Sequence, residues 1–248
     1  MFAILATTLM QRPYVLAFLI AYVCIAWKVM KPFWTITFLF AGYTIAFVSE
    51  FCSINYGLPY GWYYYVYENL RGEWLNMGVP VWDSVSYVFM NFAGLCVAMF
   101  FWRYKAIDST RSKLFLVLSS AVFVTLLDVV VDPVAHLGEH WFLGKIYFYP
   151  NPGPYFNVTL ANFLGWFLVS TVINGTGVFV LQPNFFAMQS KQNWVLPLGL
   201  YYGIFGFGLG IAVYLQQWTL VLCDLFWIGL TVLAITQGSN RLRRRECL

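Results

Sequence analysis

The chain has 248 residues, of which 61% are hydrophobic, 21% aromatic and only 10% charged, with a net charge of +4 and a mean hydropathy of +0.70. An ordinary soluble domain carries roughly 25% charged residues, so this composition excludes one and indicates an integral membrane protein. Five cysteines, Cys24, Cys52, Cys96, Cys223 and Cys247, are scattered with no C-x-x-C spacing, which implies neither a disulfide framework nor a zinc knuckle.

Taken in order, apolar runs of the roughly 20 residues needed to cross hydrocarbon fall at Pro13–Met30, Phe33–Phe51, Val81–Trp102, Leu114–Asp132, Val158–Leu181, Trp194–Tyr214 and Trp218–Ile235. The expected fold is therefore all-α, a polytopic membrane bundle of about seven transmembrane helices forming a single membrane domain over residues 1–248. The first run is one of many, so it reads as a retained span and not a cleaved signal. The connections 52–80 and 133–157 are rich in Gly, Pro and Tyr, which suits interfacial loops folded back on the bundle.

Counting Lys and Arg orients the bundle. One side holds Arg12, Arg71 and Lys145, and the other holds the remaining eleven, including Arg241-Leu-Arg-Arg-Arg245. By the positive-inside rule the N-terminus is outside and the C-terminus cytoplasmic, in the cell inner membrane, with the terminal cluster beside anionic lipid and no role in binding nucleic acid.

With that topology, Glu50, Asp83, Asp128, Asp132 and Asp224 all fall in the non-cytoplasmic half of the bundle. A carboxylate at the bilayer centre costs roughly 2.5 to 3.5 kcal/mol and usually faces a cavity or a partner, so the five suggest one polar pocket. Asp128 and Asp132, four residues apart, share a helix face just before Pro133, which is expected to end that helix. Repulsion, desolvation and the negative end of the helix dipole all disfavour a second charge there, so one carboxyl of the pair can stay protonated and serve as a general acid. Asp83 can alternatively cap its helix, and Asp224 belongs to no motif.

His136 and His140 have a spacing that could ligate a metal on a helix, but Pro133 and Gly138 argue for a loop, and no metal site is assigned. The aromatic runs Tyr60-Gly-Trp-Tyr-Tyr-Tyr-Val-Tyr67 and Tyr147-Phe-Tyr-Pro150 read as an interfacial belt, a cavity lined with π faces that would stabilise a carbocation, or both. No phosphate-binding glycine loop, G-x-S-x-G elbow or H-E-x-x-H is present, and the last span has no lysine for a retinal.

Glu50, then Asn55-Tyr-Gly-Leu-Pro-Tyr-Gly-Trp-Tyr-Tyr64, Gly78-Val-Pro80, Asp128-Val-Val-Val-Asp-Pro133, Trp141, Gly144-Lys-Ile-Tyr-Phe-Tyr149 and Asn162-Phe-Leu-Gly-Trp166 together resemble the carotenoid biosynthesis membrane family that includes the bacterioruberin-type carotenoid hydratase. The likeness runs from about residue 45 to 167; it departs at Pro150-Asn-Pro-Gly-Pro154 and weakens after residue 170. It implies cofactor-free addition of water across the terminal 1,2 double bond of an acyclic carotenoid. On this view Asp128 and Asp132 form the acid, Glu50 or Asp83 positions the water, and Asn162, Trp166, Tyr60, Tyr64 and Trp141 contact the substrate. The cavity would open sideways to lipid. Two alternatives remain: an intramembrane carotenoid or terpene cyclase using the same acids, and a non-catalytic carotenoid-binding or proton-conducting subunit.

Overall fold

The computed structural model describes residues 2–103, 106–181 and 193–246, with side chains described for 6–7, 9–103, 106–181 and 193–237. Lys105, Lys191 and Cys247 lie outside the described residues, as do the side chains of the Arg241–Arg245 cluster. A first helix, α1 (Phe2–Gln11), precedes seven that are long and apolar enough to cross a membrane: α2 (Pro13–Met30), α3 (Pro32–Tyr56), α4 (Val81–Phe101), α5 (Thr110–His136), α6 (Leu160–Gly175, prolonged by a π-helical turn Thr176–Val180), α7 (Val195–Tyr214) and α8 (Trp218–Glu246). The protein is a multi-pass membrane helix bundle.

The spans mostly begin where local chemistry starts a helix. Pro13 and Pro32 open α2 and α3, where the missing N–H costs no intrahelical bond. Ser109 caps α5 in a reciprocal box with Ser112, and the Thr159 side chain accepts the Asn162 N–H at 3.2 Å at the head of α6. Gly57, in the left-handed conformation, closes α3 by donating its N–H to the Ser53 carbonyl.

Helix α4 is the hub. Its apolar window is 78% buried against 28% for α2 and for α8, so α4 is enclosed by the other helices while α2 and α8 face outward. Where α4 meets α5, a Cβ on Gly94 would stand 2.4 Å from Val124 Cγ2, so only glycine permits this helix approach. Further inward, Asn174 Nδ2 donates to Asn91 Oδ1 at 3.0 Å, joining α6 to α4 in the half of the bundle away from the acids.

Two boundaries differ from the sequence expectation. Pro133 does not end α5, which runs on to His136, with the Leu137 N–H bonded to the Pro133 carbonyl at 3.2 Å. A proline removes one bond to the preceding turn and only disfavours helix in the residue before it, and here the buried Pro133 and Val134 hold the last turn in place by packing. Helix α3 likewise extends to Tyr56, so the loop that follows it begins at Gly57.

That loop and the one after α5 meet over the end of the bundle. Strand β1 (Tyr64–Tyr65) pairs antiparallel with β4 (Tyr147–Phe148), while β2 (Leu75–Asn76) pairs with β3 (Val79–Pro80) just ahead of α4.

Candidate active site

Beneath the β1–β4 ladder lies a cavity of about 140 Å³. Glu50, Asp83, Asp128 and Asp132, from three different helices, all line it, together with Tyr60, Asn162 and Trp166. Asp224 does not: it sits on α8 at 0% exposure outside this cavity, and neither of its carboxylate oxygens has a hydrogen-bond partner among the described residues. The expected five-acid pocket is a four-acid pocket, because the buried face of α8 packs away from the cavity against Val134 and Ala212.

On the α5 wall, Asp128 and Asp132 are joined by a third residue. Asn162 Nδ2 donates to Asp128 Oδ2 at 2.8 Å and to Asp132 Oδ2 at 3.1 Å. The Thr159 cap explains why Asn162 is there, since it fixes the first turn of α6 and with it the direction of the amide. Asp132 also accepts the hydroxyls of Tyr147 and Tyr149, the latter at 3.0 Å. Burial, and next the charge of Asp132, push both phenols well above their usual range, so they remain O–H donors. Asp132 thus accepts three donors, whereas Asp128 bonds through Oδ2 alone among the described residues, leaving Oδ1 available to the cavity that Asp128 helps to line.

A second wall is built across two helices. Glu50, 4% exposed on α3, accepts the hydroxyl of Ser84 at 2.5 Å and that of Tyr65 at 3.3 Å. Asp83, one residue before Ser84, does not cap α4; its carboxylate takes Arg12 NH1 at 2.7 Å. Arg12 in turn holds Glu73 through Nε at 2.9 Å and NH2 at 3.1 Å. Burial alone would weaken the guanidinium's charge, but Asp83, Tyr14 and Glu73 outweigh it and hold Arg12 well above its usual range. The carboxyl of Glu73 is raised by burial, which Arg12 offsets only in part.

Between the walls lies an aromatic surface. The rings of Tyr87 and Trp166 stack at 3.9 Å with an interplanar angle of 1°, and Tyr60 stands 6.0 and 6.5 Å from them. Tyr60 is held by its backbone N–H to Ser53 Oγ at 3.0 Å and by its hydroxyl, 2.9 Å from that of Ser49. It passes so close to α6 that a Cβ on Gly165 would stand 2.3 Å from its ring, which accounts for a glycine between Asn162 and Trp166.

Two expected substrate contacts do not line the cavity. Tyr64 is 43% exposed and faces outward beside Trp62 and Phe148, because side chains alternate along a strand and its neighbours Tyr63 and Tyr65 point inward. Trp141 lies behind the wall, donating Nε1–H to the Val134 carbonyl at 2.8 Å and packing on Tyr14 and Phe207, which do line it. The two histidines diverge: the His136 ring stacks on Tyr149 at 5.8 Å, and His140 sits exposed beside Glu139. Among the described residues no group of three or more His, Cys, Asp or Glu is placed to hold a metal ion.

The sequence pattern missed Arg12, Glu73 and Ser84. Arg12 was legible only as a loop charge, since its partners are 61 and 71 residues away. Tyr147 and Tyr149 were visible as aromatics but not as hydrogen-bond donors to Asp132.

No curated protein and no solved structure matches the chain. The family model described as carotenoid biosynthesis protein matches residues 4–231, which span the whole cavity and every acid that lines it. The chain belongs to the carotenoid biosynthesis protein family.

Proposed function

We propose that the protein hydrates the terminal 1,2 double bond of an acyclic carotenoid, using only its own side chains. The observation that supports this most is the amide-bridged pair: Asn162 binds both aspartates, Asp132 accepts three donors, and Asp128 keeps one oxygen for the cavity. Three donors favour the charged form of a carboxyl, so the proton that the pair shares resides on Asp128.

In this mechanism Asp128 gives its proton to C2 and a tertiary cation forms at C1, beside the stacked faces of Tyr87 and Trp166. Cation–π attraction of about 2 kcal/mol or more in a desolvated site stabilises that charge. Water attacks C1 while Glu50, oriented by Ser84 and Tyr65, takes the proton it releases. The proton then returns to the aspartate pair between turnovers, and the net change is the addition of one water. Asp83 is not the base in this scheme because Arg12 occupies it.

An apolar cavity of about 150 Å³ accommodates a benzene-sized group, so this one, at about 140 Å³, suits the branched tip of a polyene entering from the bilayer. The proposed topology puts the cavity near the outer face, with the N-terminus outside and the C-terminus in the cytoplasm of an inner-membrane protein. Reporter fusions at Met1 and Leu248 test that orientation.

Expression in a host that accumulates an acyclic carotenoid, followed by mass spectrometry of the pigments, tests the reaction. A gain of one water per reacted end is expected. An isomer of unchanged mass would instead identify a cyclase using the same acids, and unaltered pigment would favour a binding subunit.

A further inference from the structure

We infer that Arg12 is a positioning residue of this site: its guanidinium occupies Asp83 and Glu73, and so leaves Glu50 as the one carboxylate of its wall free to take a proton from water. This rests on the reading of the cavity as the reaction site.

The first turn of α4 divides its two polar side chains. Asp83 and Ser84 are consecutive, so they point in different directions from the helix: Asp83 meets Arg12 at 2.7 Å and Ser84 meets Glu50 at 2.5 Å. Glu50, near the end of α3, and Asp83, in the first turn of α4, are therefore neighbouring acids. Two unpaired carboxylates so placed would repel, and the proton would be held between them. Arg12 removes one of them from the competition.

The arginine is itself almost wholly enclosed. Its side chain is 3% exposed, that of Glu73 is 2% and that of Asp83 is 17%, so water screens the cluster little. Two parallel bonds to Glu73 fix the guanidinium plane, which leaves NH1 aimed at Asp83. A lysine ammonium has no such fork and cannot hold both acids in this geometry. Arg12 also lies at the junction of α1 and α2, while Glu73 lies in the loop that follows α3, so the cluster ties this loop to the N-terminal helices beside the cavity. Tyr14, Tyr63 and Tyr65 are the other ionisable groups lining this side; Tyr65 donates to Glu50.

The test is a comparison of variants in membranes supplied with an acyclic carotenoid, reading both substrate consumed and product mass. Arg12→Gln is expected to lower kcat about 100-fold with little change in KM, the scale of one acid–base group. Adding Asp83→Asn to it is expected to restore turnover to within about tenfold of the parent protein, because the uncompensated charge is gone. Glu73→Gln, which releases the loop but leaves Asp83 paired, is expected to cost less than about tenfold.

A purely structural anchor gives the opposite pattern, with Glu73→Gln as damaging as Arg12→Gln and no rescue by Asp83→Asn. That pattern overturns the inference, as does Asp83→Asn alone falling as far as Glu50→Gln. If Arg12→Gln does not accumulate, Arg12→Lys decides: it gives up the forked grip on Glu73 but keeps a charge for Asp83 alone, so turnover should remain within about tenfold, as for Glu73→Gln, and a larger loss refutes charge compensation. A parent protein that consumes carotenoid without adding water defeats the hydration reading while the variant order still judges Arg12. A parent that consumes none overturns both.

Discussion

The cavity is lined by two pairs of carboxyls, and the two pairs are assembled in contrasting ways. On α5 the acids are four residues apart on one helix, joined by a neutral amide from α6, and one of them also accepts two tyrosines from the loop after α5. On the other wall they come from α3 and α4, and one of them is neutralised by an arginine. Like charges held together by a neutral bridge favour sharing one proton; where one acid of a pair is engaged by a cation on its far side, the two acids are coupled less strongly. The first arrangement suits a proton donor and the second an acceptor.

The contrast breaks most visibly at Asp128. Asp128→Asn keeps shape and polarity but removes the transferable proton, and turnover of an acyclic carotenoid should fall by about 10³ to 10⁴-fold, the upper end for general acid catalysis because the acceptor is an alkene carbon. Pigment retention by the purified protein should be unaffected, and hydration at the parent rate would remove the α5 wall from the mechanism.

Glu50→Gln should cost roughly 10² to 10³-fold, since water can still attack an already formed cation, though with poorer orientation. A loss larger than that of Asp128→Asn would exchange the roles of the walls.

Asp132→Asn should cost about tenfold, because Asp132 acts through its neighbour. Combining it with Asn162→Leu should be far from additive, with a coupling of roughly 0.5 to 3 kcal/mol expected for residues sharing one network. Additive losses measured in a double-mutant cycle would mean that the amide does not connect the two acids.

Gly165→Ala perturbs the surface between the walls. Its methyl group would enter the ring of Tyr60, and a loss of about 1 to 3 kcal/mol in stability is expected, read as a lower melting temperature in detergent. The smallest effect is expected at the acid outside both walls: Asp224→Leu removes a buried carboxyl with no partner among the described residues and should raise stability by about 1 to 3 kcal/mol without lowering turnover.

Much of this arrangement was visible in the sequence. Seven spans, and the gathering of Glu50, Asp83, Asp128 and Asp132 at one end, follow from hydropathy and topology because a charge in hydrocarbon is costly enough to be placed deliberately. Asn162 and Trp166 were legible through the family resemblance, in the run Asn162-Phe-Leu-Gly-Trp166. What was not legible depends on distant contacts or on exact register. Arg12 finds its acids across more than sixty residues, and Asp224 lies on the same half as the others but on a helix turned away from them. Tyr64 in place of Tyr65 is a one-residue error, and in a strand one residue reverses the face. Pro133 misled because a helix can outlast a proline where tertiary packing holds its last turn.

The cavity size also bears on how the proposed reaction would treat a symmetrical molecule. If an acyclic carotenoid is the substrate as proposed, a cavity with room for a benzene-sized tip would read only the last few carbons of the chain and would not sense what stands at the far end. Both ends of one carotenoid cannot be in the site together. A doubly modified pigment therefore requires two separate visits, with release and reversal of the chain between them, so the singly modified compound should appear first and decline as the doubly modified one grows.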